Sequence, residues 1–177
     1  MTQPPRRDAV ISRLRLRGYD YATPGAYVVT LCTERRVCLF GDVADDEMRL
    51  SAAGPVIESW WGSIPRRFPR VELDVMIVMP NHVHGVIMIL STDPLEIDPS
   101  TPKLSQIMRW FKTRTTNDYI LGVRTEGWPR YPGKLWQTGF YDHIVRDEPT
   151  LERIRSYIAA NPSRWPWDEE NPRRVSR

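Results

Sequence analysis

The spacing of hydrophobic residues changes several times along the chain, and each change marks a predicted element. Residues 26–33 are mostly β-branched or aromatic and predict a strand. Apolar residues then recur at helical spacing over 56–64. This pattern predicts a helix that runs from an N-cap at Ser51 to about Phe68.

Two strands joined by a tight turn are predicted next. Residues 71–79 and 82–90 are rich in valine, isoleucine and methionine, and Pro80 and Asn81 between them are typical turn residues. We therefore expect the two strands to pair antiparallel. The segment 91–102 contains three prolines and is predicted to be a loop.

The second half of the chain continues the alternation of helices and strands. Apolar residues at i, i+3, i+4 and i+7 over 104–111 predict a helix, and 122–133 is a loop rich in glycine and proline. Residues 136–146 predict a strand and 150–160 a third helix. The order strand, helix, strand, strand, helix, strand is typical of the ferredoxin-like βαββαβ fold. We therefore expect an α+β domain whose antiparallel sheet has two helices on one face, with an added C-terminal helix.

Length and composition are those of one folded domain with appended segments. The chain has 177 residues, of which 41% are apolar, and no apolar run long enough to cross a membrane. We expect a basic N-terminal arm over 1–24, a folded domain over 25–165 and a C-terminal tail over 166–177. The first residues do not resemble a signal peptide, and Cys32 and Cys38 fit neither a zinc knuckle nor a redox pair. These features predict a cytoplasmic protein without a membrane partner.

The basic residues are almost all arginine. The net charge is only +3, but 22 of the 25 basic residues are arginine, which forms bidentate contacts with phosphate. Between residues 101 and 146 there are eight basic residues and three acidic ones. Four of these basic residues are candidate DNA contacts: Arg109, Lys112, Arg114 and Arg146. The alternative is that they are ordinary solvated surface residues.

Candidate chemistry is concentrated in two short segments. His82 and His84 should point from the same face of a strand, where they could share a metal ion. Tyr157 and Asn161 lie one turn apart at the edge of the apolar stripe of the third helix. Each also has an ordinary structural interpretation: histidines bonded to backbone, a tyrosine covering the core edge, and an asparagine that ends a helix before Pro162.

Together these residues predict a site for phosphate chemistry. Two imidazoles and an amide oxygen could hold a divalent ion and leave positions open for phosphate oxygens. A tyrosine beside them could attack that phosphate, displace a sugar hydroxyl and retain the phosphate as a covalent ester.

Several stretches resemble the HUH endonucleases. Residues 80–84 (PNHVH) are similar to their His-hydrophobic-His signature, and 157–162 (YIAANP) to the catalytic-tyrosine motif of their one-tyrosine transposases. Residues 37–41, 110–112 and 136–146 extend the resemblance to the REP-associated tyrosine transposases, which are relatives of the small insertion-sequence transposases. The resemblance covers about residues 25–165.

The resemblance implies metal-dependent nicking and strand transfer on single-stranded DNA, with recognition of a hairpin or palindromic element. It makes Tyr157 the nucleophile, which forms a 5′-phosphotyrosine and releases a 3′-hydroxyl. It makes His82, His84 and Asn161 the ligands of Mg²⁺ or Mn²⁺. Insertion-sequence relatives have a glutamine at this position. This chain has Asn161 there, and asparagine is typical of the REP-associated branch. The two branches act as dimers or as monomers, so a monomer and a homodimer both remain open.

Other functions are less consistent with the sequence. A non-catalytic ferredoxin-like nucleic-acid-binding domain would need aromatic residues on its central strands, and 75–79 and 83–90 have none. A zinc hydrolase would need further metal ligands. The third histidine, His143, lies on the predicted fourth strand, and we favour a structural or supporting role for it. A domesticated nickase with the same chemistry is indistinguishable by sequence from a transposase.

Overall fold

The computed structural model describes residues 23–90 and 101–174. Residues 1–22 of the predicted N-terminal arm and residues 91–100 of the predicted proline-containing loop therefore lie outside the described residues. Six strands are present in the described part: β1 Gly25–Cys32, β2 Gly41–Ala44, β3 Glu47–Leu50, β4 Val71–Met79, β5 His82–Ile89 and β6 Tyr141–Val145. The helices are α1 Gly54–Gly62, α2 Ile64–Arg67, α3 Leu104–Thr125, α4 Glu148–Ala159 and α5 Asn161–Arg164.

Four strands form one antiparallel sheet in the order β4-β5-β1-β6. This is the strand order of a ferredoxin-like sheet, with β5 and β1 at its centre. The predicted fold class is therefore confirmed. No helix in the described ranges is both long and apolar enough to span a bilayer.

The sheet is buried on both faces by two separate sets of side chains. Tyr27, Val29 and Leu31 of β1 belong to the larger core, which also contains residues of α1 and α3. The alternate residue Val28 belongs to a smaller core with Val86 of β5 and three residues of α4: Leu151, Ile154 and Ile158. Since side chains alternate along a strand, α1 and α3 cover one face and α4 covers the other.

A close packing contact explains the glycine that follows the histidine pair. A Cβ atom added to Gly85 would lie 2.7 Å from Cη2 of Trp61, which is itself buried. Glycine thus lets α1 approach the centre of β5 on the face opposite the histidines.

The β2–β3 hairpin was not among the predicted elements. Its two-residue turn consists of Asp45 and Asp46, which adopt φ values of 55° and 60°. Both central residues of a type I′ turn need positive φ, and aspartate tolerates this conformation less readily than glycine or asparagine. The Asp-Asp pair is therefore a weak hairpin signal.

Several predicted boundaries were wrong. The first helix begins at Gly54 because Ser51, the expected N-cap, donates its hydroxyl to Leu39 O (2.9 Å). Helix α3 continues past Gly122, where the missing side chain makes room for Trp128 and does not end the helix.

The last strand and the last long helix also differ from their predicted bounds. Strand β6 is shorter than predicted because Lys112 Nζ donates to the backbone carbonyls of Gln137 and Gly139, which lie outside any strand ladder. Helix α4 begins earlier than predicted, since Asp147 accepts a hydrogen bond from Thr150 N (2.7 Å) and caps it.

Candidate metal and tyrosine site

His82 and His84 lie on the sheet face that α4 covers. His84 pairs with Thr30 and His82 with Cys32, in register with the Val28–Val86 pair of the smaller core. Both histidines are fully buried, and their ring centroids are 4.6 Å apart. The strand alternation expected from the sequence thus brings the two imidazoles together.

Each imidazole is oriented through Nδ1. His82 Nδ1 lies 2.9 Å from Asn81 Oδ1, and His84 Nδ1 lies 2.7 Å from Thr30 Oγ1. A hydrogen bond at one ring nitrogen directs the other nitrogen toward a ligand. In both rings Nε2, which is buried, is therefore the nitrogen that would face a metal ion.

Asp168, which was not among the predicted site residues, supplies a third group. One ligand atom from each of His82, His84 and Asp168 lies within 4.8 Å of the other two. Asp168 follows a short 3₁₀ turn at Trp165–Trp167, and the buried Trp165 ring lies 6.0 Å from the His82 ring. This aspartate belongs to the predicted tail, where its one sequence signal is a cluster of three acidic residues after Trp167.

The donor set fits a divalent cation. Two imidazole nitrogens and a carboxylate oxygen are ligands that transition metals accept. Asn161 is 1% exposed, and among the described residues neither its side-chain oxygen nor its nitrogen has a hydrogen-bond partner. A buried amide without partners is costly unless a ligand satisfies it. Asn161 begins α5, directly after the end of α4.

Tyr157 reaches this cluster from α4. Its ring centroid lies 5.9 Å from that of His84, and the guanidinium of Arg164 lies 5.3 Å from the Tyr157 ring centroid. The tyrosine is half-buried at the edge of the smaller core, as its place beside the apolar stripe predicts. The arrangement places a phenol, a cation and the histidine pair together.

An ion pair also joins α4 to the sheet. Arg155 Nε lies 3.1 Å from both carboxylate oxygens of Asp74 on β4, and its Nη2 lies 2.6 Å from Oδ2. Hydrogen bonding from Arg155 lowers the pKa of Asp74, so the carboxylate is charged across the neutral range. The tyrosine helix is thus fixed to its own sheet by packing and by charge.

His143 does not join the metal cluster. It pairs with Val28 on the α4 face of the sheet, but it is absent from the set of groups within 4.8 Å formed by the two histidines and Asp168. Burial, with a smaller effect from the nearby Arg146, lowers the pKa of His143.

The four candidate DNA contacts lie in different surroundings. Arg109 and Arg114 are exposed on α3 and line a groove of about 600 Å³ that also contains Arg67 and Trp110. The Arg114 guanidinium stacks over Trp60, with 5.4 Å to the ring centroid.

The other two predicted DNA contacts are placed differently. Lys112 turns inward to backbone carbonyls, and burial lowers its pKa to about 8. Arg146 is exposed after the edge strand β6 and does not line the groove that contains Arg109 and Arg114.

Comparison with solved structures shows which known proteins share this fold. The chain superposes on a REP-associated tyrosine transposase bound to a REP hairpin with a TM-score of 0.61 and 18% identity, over 88% of this chain and 76% of that one. A Deinococcus radiodurans protein assigned provisionally as a transposase gives a TM-score of 0.50 and 18% identity, over 82% and 95%. The chain thus has the transposase-like HUH fold, and the resemblance seen in the sequence is confirmed at the level of the fold.

A curated relative places the chain in a family. It is 31% identical over 172 residues to an uncharacterised protein of Haemophilus influenzae, and the match covers 88% of this chain and 90% of that protein. The chain therefore belongs to the same family as the Haemophilus protein. No established family model matches it.

Proposed function

We propose that this protein nicks and rejoins single-stranded DNA in a metal-dependent reaction in which Tyr157 is the nucleophile. The observation that carries the proposal is the meeting, on one sheet face, of a histidine pair, a carboxylate and a tyrosine ring 5.9 Å from His84. An imidazole pair alone is an ordinary structural feature. The phenol beside His84, and a buried Asn161 whose amide atoms have no hydrogen-bond partner among the described residues, support the proposal of phosphate chemistry.

His82, His84 and Asp168 would hold the ion, and Asn161 is proposed as a further oxygen ligand. Mg²⁺ and Mn²⁺ are both candidates, and we expect Mn²⁺ to bind more tightly because Mg²⁺ favours oxygen ligands over imidazole. When bound, the ion would supply positive charge to the phosphate oxygens. Since Asp168 lies beyond residue 165, the proposed catalytic unit includes part of the predicted tail.

The proposed reaction is a transesterification. The Tyr157 oxygen forms a bond to phosphorus while the bond from phosphorus to the 3′-oxygen of the preceding nucleotide breaks. The proton lost from the phenol is balanced by one gained at the released 3′-hydroxyl. The product is a 5′-phosphotyrosine, and attack by a 3′-hydroxyl reverses the step and rejoins a strand. Arg164, beside the Tyr157 ring, would stabilise negative charge on the phenol oxygen.

The DNA partner is proposed to be a hairpin with single-stranded flanks. The REP-associated structural relative is bound to a REP hairpin. In this chain, the groove beside Arg109 and Arg114 combines guanidinium groups with the half-buried Trp110, as expected for contacts to phosphates and unpaired bases. Lys112 and Arg146 remain weaker proposals for DNA contacts, given their surroundings.

The tyrosine is proposed to act on the metal site of its own chain. Helix α4 packs on its own sheet through Leu151, Ile154 and Ile158, and Arg155 binds Asp74 of the same chain. A monomer therefore contains every proposed catalytic group. Exchange of α4 between two chains would have to break this packing first.

The test is formation of a covalent adduct. The protein is incubated with Mn²⁺ or Mg²⁺ and a panel of labelled single-stranded hairpin oligonucleotides, including palindromes that flank the gene, and analysed on a denaturing gel. We expect an SDS-resistant adduct that requires metal and is absent in Tyr157→Phe. The matched control is Tyr141→Phe, which removes a different phenol from the same face of the sheet. An adduct that persists in Tyr157→Phe contradicts the assignment, and hairpin binding without any adduct indicates a non-catalytic binding domain.

A further inference from the structure

Asn81 precedes the histidine pair, and both polar atoms of its side chain have hydrogen-bond partners. It is fully buried, and its Nδ2 donates to Arg36 O (2.9 Å) and to Glu170 O (2.7 Å). Its Oδ1 lies 2.9 Å from His82 Nδ1. A turn residue needs none of these contacts to make a turn.

The three contacts fix which way the amide points. Two backbone carbonyls can only accept hydrogen bonds, so the amide nitrogen must face Arg36 and Glu170. Reversing the amide would place its oxygen against both carbonyl oxygens. The oxygen of Asn81 therefore faces His82, and an oxygen of this kind can only accept.

The orientation of the amide in turn decides the protonation of His82. Because Oδ1 only accepts, His82 must donate from Nδ1, and a neutral imidazole that carries its proton on Nδ1 has a lone pair on Nε2. The contact of His84 Nδ1 with the Thr30 hydroxyl does not by itself fix the tautomer of His84, since a hydroxyl can donate or accept.

The same amide holds the segment that carries Asp168. Glu170, whose carbonyl accepts from Asn81, is 2% exposed and its carboxylate lies 2.8 Å from Arg36 Nε. The Glu170 N–H donates to Asp168 Oδ1 (2.7 Å). A continuous path of hydrogen bonds thus runs from His82 through Asn81 and Glu170 to Asp168.

We propose that Asn81 is a positioning residue that holds His82 in its Nδ1–H form and docks the Asp168 segment beside it. Two metal ligands that are 86 positions apart in the sequence would thus be preorganised by one side chain. This inference rests on the proposed metal site. Removing a residue that orients a metal ligand typically weakens metal binding by about 10- to 100-fold.

The experiment measures the tautomer of His82 and the affinity for Mn²⁺ separately. The chain has three histidines, so two-bond ¹H–¹⁵N NMR spectra of the metal-free protein at mildly alkaline pH can be assigned by single replacements. We expect His82 to carry its proton on Nδ1 in the wild-type protein. A wild-type His82 protonated on Nε2 would overturn the proposal without any variant.

Two substitutions separate the two roles of Asn81. Asn81→Ser removes the amide, so we expect His82 to lose its single tautomer and Mn²⁺ affinity, measured by EPR, to fall about 10- to 100-fold. Asn81→Asp keeps the acceptor but loses both donors, so we expect the His82 tautomer to persist while Mn²⁺ binding weakens.

The control is Thr30→Val, which removes the partner of His84 and should leave the His82 signal unchanged. Unchanged Mn²⁺ affinity in a folded Asn81→Ser protein would contradict the proposal.

The result is independent of the adduct test. A wild-type protein with the expected tautomer and Mn²⁺ binding but no DNA adduct would contradict the proposed reaction and leave the role of Asn81 intact. An adduct formed by a protein whose His82 is protonated on Nε2 would contradict the role of Asn81 alone.

Discussion

Ile154 packs helix α4, which carries Tyr157, on the sheet, so shortening this side chain should impair the proposed adduct formation more than it impairs folding. Ile154 is fully buried in the smaller core, where α4 packs on the face of the sheet that presents His82 and His84 of β5. The larger core lies on the other face of the sheet and does not include it. Ile154→Ala should therefore release α4 locally and move Tyr157 away from His84.

The expected magnitude follows from the burial. Truncating a buried isoleucine to alanine costs about 2–5 kcal/mol, and the smaller core borders half-buried groups such as Tyr157, which favours the lower part of that range. A loss of about 2–3 kcal/mol shifts the docking equilibrium of α4 by roughly 30- to 150-fold. Catalysis that requires docked α4 should fall by up to this factor.

The assay compares Ile154→Ala with a matched substitution in the larger core. Ile107→Ala removes the same atoms from a side chain that is equally buried on α3. Urea unfolding gives the stability of each variant, and the adduct rate is corrected for the folded fraction. Hydrogen exchange reports local opening of α4.

We expect Ile154→Ala to lose corrected adduct rate and Ile107→Ala to retain it. Equal corrected rates in the two variants would refute the idea that α4 docking is what Ile154 contributes.

Three further predictions concern charge. Arg164→Ala should slow adduct formation at Tyr157 by roughly two- to fivefold, since the guanidinium beside the half-buried Tyr157 ring would contribute about 0.5–1 kcal/mol to stabilising negative charge on the phenol oxygen. Rescue by a lysine at the same position supports the role of charge, and no change in rate argues against it. Arg114→Gln should weaken hairpin binding and lower the slope of log K against log salt by about 0.7–0.9. The control Arg124→Gln, at the end of α3, should leave this slope unchanged. Equal slopes for the two variants would remove Arg114 from the proposed DNA interface. Burial lowers the pKa of His143, so the unfolded chain binds the proton more readily and stability falls as pH drops below about 6.5. Urea titrations give the free energy of unfolding at pH 7 and at pH 5. Between these pH values it should fall less in His143→Gln than in the wild type. An identical fall in both proteins would exclude a contribution of His143 to the pH dependence of stability.

The main architecture could be predicted because its signals are local. Strand β5 pairs with β1 without a bulge, so its side chains alternate between the two faces of the sheet, and the shared face of His82 and His84 follows from strand geometry alone. The helical spacing over 150–160 likewise places Tyr157 at the edge of the stripe that packs on the sheet. Each of these predictions depends on periodicity within a single element.

The rest of the site depends on contacts between distant segments. Asp168 reaches the histidines because Trp165 packs beside His82 and Asn81 binds Glu170, and no periodic pattern encodes either contact. Lys112, a predicted DNA contact, is half-buried, and its Nζ donates to carbonyls of a segment that was itself predicted to be a strand. A basic residue on a helix gives no local sign of which neighbour will cover it.

The most direct test of the central claim is to find which residue becomes linked to DNA. Trypsin cleaves after Arg155 and Arg164, so Tyr157 lies in the peptide 156–164 (SYIAANPSR), where it is the one tyrosine. After reaction with Mn²⁺ and a hairpin oligonucleotide, followed by nuclease digestion, tandem mass spectrometry should show this peptide carrying a nucleotide through a 5′-phosphate on Tyr157. A nucleotide attached to Ser156, Ser163 or any other peptide, or a metal-bound protein that leaves every tested hairpin uncleaved, would contradict the account.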